Sequence, residues 1–219
     1  MQTFKHIDAK NIAYYFVGFA ITTLGINLII RSNFGAGPWD TVSYNLHELL
    51  NITLGMASAI ISIFVMTIIV LLRKKAKYLI GLIPAFSIAL TLDFWDILVF
   101  GNYFPDEWLL QGGFYIMGIY LLTFGLALIV TTSYPAMIFE ELTLILMKFF
   151  KIKRFAIMRL LIELFAIVLA IIFGVLAGIG LGVVNIGSLV IAFSIAPVLD
   201  LQIRFISKLR NQPMPQGEQ

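Results

Sequence analysis

Residues 25–40, which read GINLIIRSNFGAGPWD, carry an apolar run into a polar, glycine-rich turn and then into a proline-led helix start. Further along, residues 125–140 read GLALIVTTSYPAMIFE and repeat the apolar run, the polar turn and the proline near a helix start, without the glycines in the turn. Proline suits the first turn of a helix, and an acidic side chain there complements the helix dipole. Each stretch therefore predicts a long helix, a turn and a second, shorter helix.

The similarity between the two stretches extends along both halves of the chain. A shift of 100 residues places several residues on identical ones: Tyr15, Gly18, Thr23, Gly25, Leu28, Ile29, Ala36, Leu46 and Ile52. The sequence AFSIA at 85–89 recurs at 192–196, and Leu92-Asp93 recurs as Leu199-Asp200. An insertion in the glycine-rich stretch 174–187 explains the larger offset. We therefore predict a duplication, with residues 1–100 as the first repeat and residues 101–219 as the second.

The composition places both repeats in a membrane. Sixty per cent of the residues are apolar and 12% are charged, against about 45–50% and about 25% in soluble proteins. A transmembrane helix needs about 20 apolar residues. Runs of that kind occur at 12–30, 55–72, 79–99, 112–131, 155–174 and 184–203. We predict an all-α polytopic membrane protein with six transmembrane helices and no soluble catalytic module.

The distribution of basic residues predicts the orientation. Lysine and arginine collect on the cytoplasmic side of short loops. With six spans and both termini cytoplasmic, all the basic clusters lie inside, whereas the loop 101–111 has acidic residues but no lysine or arginine. The segments 38–50 and 135–150 are then re-entrant or interfacial helices. Because each repeat crosses the bilayer an odd number of times, the two repeats insert in opposite directions, which predicts an inverted 3+3 repeat.

The turn in residues 25–40 also carries a family resemblance. Its Gly35-Ala36-Gly37-Pro38-Trp39-Asp40 sequence after a first span resembles the YczE/YyaS/YitT family of bacterial membrane proteins. The resemblance implies a multi-pass protein of the bacterial inner (plasma) membrane, of about this length. It implies no mechanism.

Polar residues at the starts of the short helices are the candidate substrate-binding groups. The forked N–H donors of an arginine and the free backbone N–H groups at a helix start can bind an anion. Carboxylates can bind a proton or a cation. The alternative is that the arginine reaches the interface and the acidic residues only cap helices. The candidates are Arg31, Asn33, Gly35, Gly37, Trp39 and Asp40 in the first half and Glu140 and Glu141 in the second.

Acidic residues inside the spans are candidates for gating or proton coupling. A charge at the bilayer centre costs roughly 2.5–3.5 kcal/mol on insertion scales, so such groups should face protein or water. Asp93 and Asp200 occupy equivalent positions in the two repeats, and the inverted repeat predicts them near opposite faces of the membrane, as gating residues. The alternative is that both simply lie at the membrane interface. Glu163 lies one helical turn from Arg159. This spacing predicts a structural ion pair between the two residues, and the alternative is that Glu163 carries a proton.

These features predict a transporter or exporter of a small solute, secondary active, with an anionic or zwitterionic substrate suggested by Arg31. The alternative is a substrate-binding subunit or accessory membrane protein that acts with a partner. An embedded enzyme ranks third, because only Glu140/Glu141 and Asp93/Asp96 resemble an acid–base pair. No catalytic motif, metal site or cofactor is expected. The predicted partners are the lipid bilayer, the solute and either further copies or a partner subunit, but no nucleic acid.

Overall fold

The computed structural model describes residues 9–74, 76–132, 134, 138–152 and 154–210. All regular secondary structure in this part of the chain is helical. A 3₁₀ segment, Ala76–Gly81, precedes the fourth helix, and a π-helical segment, Phe94–Phe100, follows it. The helices are α1 (Ala9–Arg31), α2 (Pro38–Leu50), α3 (Leu54–Arg73), α4 (Leu82–Asp93), α5 (Trp108–Thr131), α6 (Ile138–Phe150), α7 (Phe155–Leu176) and α8 (Ile186–Leu209).

Six helical stretches of the described chain are long and apolar enough to cross a membrane, as the sequence predicts. They are α1, α3, α5, most of α7, α8 and the stretch Tyr78–Phe100, which contains α4. The predicted short helix at 38–50 is α2, with the same bounds. Of the predicted helix at 135–150, residues 138–150 form α6, and 135–137 lie outside the described residues. The chain is a multi-pass membrane protein.

The repeat-related helices α1 and α5 pack against each other along their backbones. A methyl group added to Gly25 would lie 2.7 Å from the backbone oxygen of Gly118, and one added to Gly18 would lie 3.0 Å from that of Gly125. Small residues of this kind allow close contact between membrane helices. Because residue numbers rise along α1 while they fall along α5, the two helices are antiparallel.

Ring contacts also occur in repeat-related pairs. Tyr15 meets Tyr134 with ring centroids 5.3 Å apart, and the equivalent residues, Tyr115 and Phe34, meet at 5.7 Å. A pseudo-two-fold axis between the halves would produce such reciprocal contacts. The inverted repeat over the whole chain stays a prediction.

Hydrogen bonds between helices follow the same pattern. The Trp95 indole donates to the backbone oxygen of Ala20 at 2.8 Å. At the equivalent positions, the Gln202 amide donates to the backbone oxygen of Tyr120 at 3.2 Å. Each bond joins the third span of a half to the first span of the same half.

Helix α2 runs alongside α7 rather than across the helix ends. The Asn45 amide donates to the backbone oxygen of Ala170 at 2.8 Å. Earlier in α2, Asp40 interacts electrostatically with Glu163 in the middle of α7. Both helices therefore run in the same direction, and α2 begins beside the middle of a span. This arrangement is that of a re-entrant helix.

The helices form two layers. One contains α1, α4, α5 and α8, and the other contains α2, α3, α6 and α7. Among the described residues, α3 and α4 make the one extensive helix–helix contact between the layers, whereas their repeat equivalents, α7 and α8, barely touch. We call the end with Arg31, which the predicted topology places outside, the outer end, and the opposite end the inner end.

Candidate functional site

Asp40 lies in the first turn of α2, which begins at Pro38 after the extended residue Gly37. A side chain on Gly37 would lie 2.7 Å from the Asp40 carboxylate, so the carboxylate folds back over the helix start. No hydrogen bond or ion pair of this carboxylate occurs within the described chain. The Asp40 side chain is half-buried, and it lies within electrostatic reach of the negatively charged Glu163 on α7.

Arg159 and Glu163 form an ion pair on α7 beside Asp40. The Arg159 Nε donates to Glu163 Oε1 at 2.7 Å, and both side chains are partly buried. The Arg159 Nη1 is buried without a hydrogen-bond partner. Because Arg159 compensates Glu163, the three groups together carry one net negative charge when Asp40 is ionised. We call Asp40, Arg159 and Glu163 the charge cluster.

The repeat-related residues Trp39 and Phe139 stack on each other. Their ring centroids are 4.3 Å apart and their planes differ by 24°. The buried Trp39 Nε1 has no hydrogen-bond partner. The stack joins the starts of α2 and α6, where the axis of the predicted inverted repeat would lie.

A groove of about 570 Å³ lies next to the stack. Its wall is almost entirely apolar and is formed by residues of α2, α3, α6 and α7. Two of the lining side chains, Phe64 and Phe165, are exposed on the outside of the protein, so the groove opens on the side that faces the hydrocarbon. We call it the apolar groove. It is lined by Trp39, Val42, Leu46, Ile60, Ile61, Phe64, Val65, Ile68, Leu142, Leu146, Met158, Leu161, Ile162, Phe165, Leu169 and Phe173.

Arg31 is engaged in the protein rather than directed to a solute. Its side chain is 2% exposed, and its Nη1 donates to Asp96 at 2.7 Å. Its Nη2 donates to the backbone oxygen of Gly101 at 2.7 Å, and the guanidinium lies over the rings of Phe100 and Phe104. The contacts join the end of α1 to the end of the third span. Asp96 was noted in the sequence only beside Asp93, because sequence spacing gives no signal for this long-range pair.

The other predicted residues of the first turn shape the outer end. Asn33 has a positive φ of 60°, and its backbone oxygen accepts from the Asn185 amide at 3.1 Å. Gly35 has φ of 121°, and a methyl group there would lie 2.7 Å from the Ser188 nitrogen. These contacts hold the turn against the start of α8. The structure therefore brings Trp39 and Asp40 to the charge cluster, and Arg31, Asn33 and Gly35 to a packed turn.

Asp93 and Asp200 have different surroundings despite their equivalence in the repeat. Asp93 accepts from the Thr53 hydroxyl and from the Gly55 backbone N–H, both at 2.6 Å, at the start of α3. Asp200 is 61% exposed and pairs with Arg204 at 2.8 Å on its own helix. Neither residue belongs to the charge cluster.

Glu141 pairs with Arg73 at 3.0 Å and so joins α6 to the inner end of α3. The side chain of Glu140 lies outside the described part of the structure. The described residues contain no group of three or more His, Asp or Glu side chains that could hold a metal ion.

Comparisons with known proteins agree with the resemblance that residues 25–40 indicate. The model of a family described as "Family of unknown function (DUF6198)" matches residues 9–204. A protein of Bacillus subtilis (strain 168) described as "Uncharacterized protein YyaS" is 30% identical over 167 residues, which are 76% of this chain and 83% of the relative. No solved structure matches the chain significantly.

Proposed function

The chain belongs to the family of unknown function DUF6198, and from this premise we propose that it is a secondary carrier of a small solute in the bacterial plasma membrane. Both termini are cytoplasmic in this proposal, and the protein is not an enzyme. The solute site comprises the charge cluster and the Trp39–Phe139 stack, where the two short helices begin.

One observation carries the proposal: Asp40 is a half-buried carboxylate without a compensating partner in the described chain, at the start of a helix that begins beside the middle of a span. A charge at membrane depth without a partner is costly, so the group takes up a proton or binds a cation. Carriers use such groups near the middle of the bilayer, at the ends of short or broken helices. A purely structural helix cap needs neither the burial nor the neighbouring Glu163.

The difference between the two ends supports a carrier rather than a passive channel. At the outer end, the Asp93 contacts and the turn around Gly35 join the two layers. At the inner end, α7 and α8 barely touch among the described residues. A carrier exposes its site to one side at a time, and in this proposal the weak contact between α7 and α8 is where the site opens to the inner side.

The charge cluster changes the expected substrate. The prediction of an anionic or zwitterionic solute depends on Arg31, whose Nη1 and Nη2 donate to Asp96 and to the backbone oxygen of Gly101, and whose buried Nε has no hydrogen-bond partner among the described residues. The cluster instead has an excess negative charge. We therefore assign the carrier a solute that exchanges with protons at Asp40.

The test uses the purified full chain in proteoliposomes that contain a pH-sensitive dye. A library of small solutes is added under an imposed pH gradient, and a substrate is expected to move protons only in vesicles with the chain. Asp40→Asn should abolish this movement, and Asp200→Asn should retain it. Movement by none of the solutes, or equal movement with Asp40→Asn, would contradict the proposal. A solute that binds but never moves would favour a binding subunit that needs a partner.

A second measurement examines the two ends directly. The chain has no cysteine, so spin labels can be attached at introduced cysteine pairs without further changes. Arg154→Cys with Lys208→Cys reports the inner end, and the matched pair Asn51→Cys with Asn102→Cys reports the outer end. The inner distance is expected to shift when a transported solute is added. Unchanged distances at both ends during transport would contradict alternating access.

A further inference from the structure

We infer that the solute is an amphiphilic organic cation that enters from the hydrocarbon, with its apolar body in the apolar groove and its charge beside Asp40. This inference deepens the proposed function and depends on it for the transport step. It assigns a ligand class to a groove that the sequence does not reveal.

The groove and the charge cluster are adjacent along two helices. Trp39 lines the groove and Asp40 follows it, while Ile162 lines the groove and Glu163 follows it. Consecutive Cα atoms are about 3.8 Å apart. A molecule that fills the groove up to Trp39 therefore has its polar end within reach of the cluster.

The charges near the groove favour a cation. The lining contains no charged side chain. On α3, α6 and α7, which form the groove together with α2, Lys148 in the last turn of α6 is exposed. The other charged side chains described on these three helices are Arg159 and Glu163 on α7, Arg73 on α3 and Glu141 on α6. Each of these four already has an ion partner. Asp40 is left as the uncompensated charge, and an anion would be repelled by it.

The aromatic stack adds a second reason for a cation. A cation within about 6 Å of an aromatic face is attracted by the ring quadrupole, most strongly by tryptophan. The stacked pair of Trp39 and Phe139 lies where the groove ends at the starts of α2 and α6. An organic cation with apolar substituents satisfies all three features at once: the apolar wall, the rings and the carboxylate.

The lipid-facing side provides the entry. Phe64 is 61% exposed and Phe165 is 56% exposed, on α3 and α7 respectively. Both helices are long and apolar enough to span the membrane. An amphiphile that partitions into the bilayer reaches the groove between these helices without crossing water.

The binding test uses tritiated tetraphenylphosphonium and the full chain in detergent micelles. Saturable binding is expected at pH 8.5, with quenching of tryptophan fluorescence that Trp39→Phe removes. Protons compete with the cation for the Asp40 carboxylate, so affinity should fall as the pH is lowered from 8.5. Asp40→Asn should lose at least tenfold in affinity, whereas Asp40→Glu and the matched control Asp200→Asn should bind within a few-fold of the wild type.

A pair of neighbouring leucines tests the groove itself. Leu161 lines the groove, whereas Leu160 does not, and both are exposed. Leu161→Lys adds a positive charge to the groove and should weaken binding at least fivefold, while Leu160→Lys should leave it unchanged. Size-exclusion profiles verify that all variants remain folded.

Several outcomes would overturn the inference. Equal binding of tetraphenylborate would show that the groove takes up apolar ions without selecting their charge. Uptake equal to that of protein-free micelles would show that the groove holds only lipid chains. An affinity unaffected by Asp40→Asn would show that the carboxylate does not bind the cation. If another solute is carried while tetraphenylphosphonium fails to bind, the proposed carrier function is supported and the proposed substrate class is wrong. If tetraphenylphosphonium binds but no solute is ever carried, the proposed binding site is supported and the carrier function is wrong.

Discussion

The contact between α3 and α4 and its repeat equivalent, between α7 and α8, differ more than any other pair of equivalent contacts described above. Asp93 ties α4 to the start of α3 through two hydrogen bonds of 2.6 Å. Asp200 is 61% exposed, and its ion-pair partner among the described residues is Arg204 on the same helix. An aspartate therefore joins α4 to α3 in the first half, whereas the equivalent aspartate makes no described hydrogen bond or ion pair between α8 and α7.

A single glycine permits the close contact between α3 and α4. A methyl group on Gly55 would overlap the backbone oxygen of Ala89, so the close approach of α3 and α4 requires a residue without a side chain there. The equivalent position in the second half is Phe155. The close approach of α3 and α4 therefore depends on a glycine that the second half of the sequence does not have at the equivalent position.

The largest effect is expected from Gly55→Ala. The added methyl group forces α3 and α4 apart, which should lower the free energy of unfolding by about 3 kcal/mol. The matched control is Gly113→Ala on α5, where nothing lies within 4 Å and the helix gains propensity. Thermal unfolding in detergent measures both variants. Equal midpoints would show that the close contact between α3 and α4 contributes little to stability.

A smaller effect is expected when the equivalent aspartates are changed. Asp93→Asn removes a charged acceptor from two donors and should cost about 2 kcal/mol. Asp200→Asn removes an exposed ion pair and should cost less than about 0.5 kcal/mol. The measurement is again thermal unfolding of the two variants side by side. Similar losses would mean that Asp200 is also fastened in the folded protein.

The smallest effect is expected from Glu141→Gln at the inner end. The Arg73–Glu141 pair joins α3 to α6 but is partly exposed, so its loss should cost about 0.5 kcal/mol. Exchange of the backbone amide hydrogens should nevertheless become faster in α6. It should stay unchanged in α2, because α2 is held to α7 by the Asn45 hydrogen bond and does not depend on this ion pair. Faster exchange in both helices would indicate that they move as one unit.

Hydropathy and helix-start chemistry predicted most of the helical elements. The bounds of α2 follow from Pro38 at its start and the change of pattern at Asn51, and they agree with the structure. The third span was harder to delimit, because it combines a 3₁₀ segment, α4 and a π-helical segment. Such distortions depend on packing between helices, which periodicity along one helix does not contain.

The candidate site was predicted only in part. Sequence spacing linked Arg159 to Glu163, because residues four apart share a helix face. It could not link Asp40 to Glu163 or Arg31 to Asp96, because these pairs depend on how separate helices meet. The stack of Trp39 on Phe139 was within reach of the repeat analysis, since a residue near a two-fold axis contacts its own equivalent.

The partnership of Arg31 with Asp96 has a consequence for biogenesis. The acidic partner lies 65 residues further along the chain, which a ribosome adds in roughly 3–13 s. During that interval a guanidinium at the end of the first inserted segment has neither its carboxylate nor the rings of Phe100 and Phe104. The nascent protein must therefore shelter this group at the water boundary or within the insertion machinery, and variants that lack Asp96 should be prominent targets for membrane quality-control proteases.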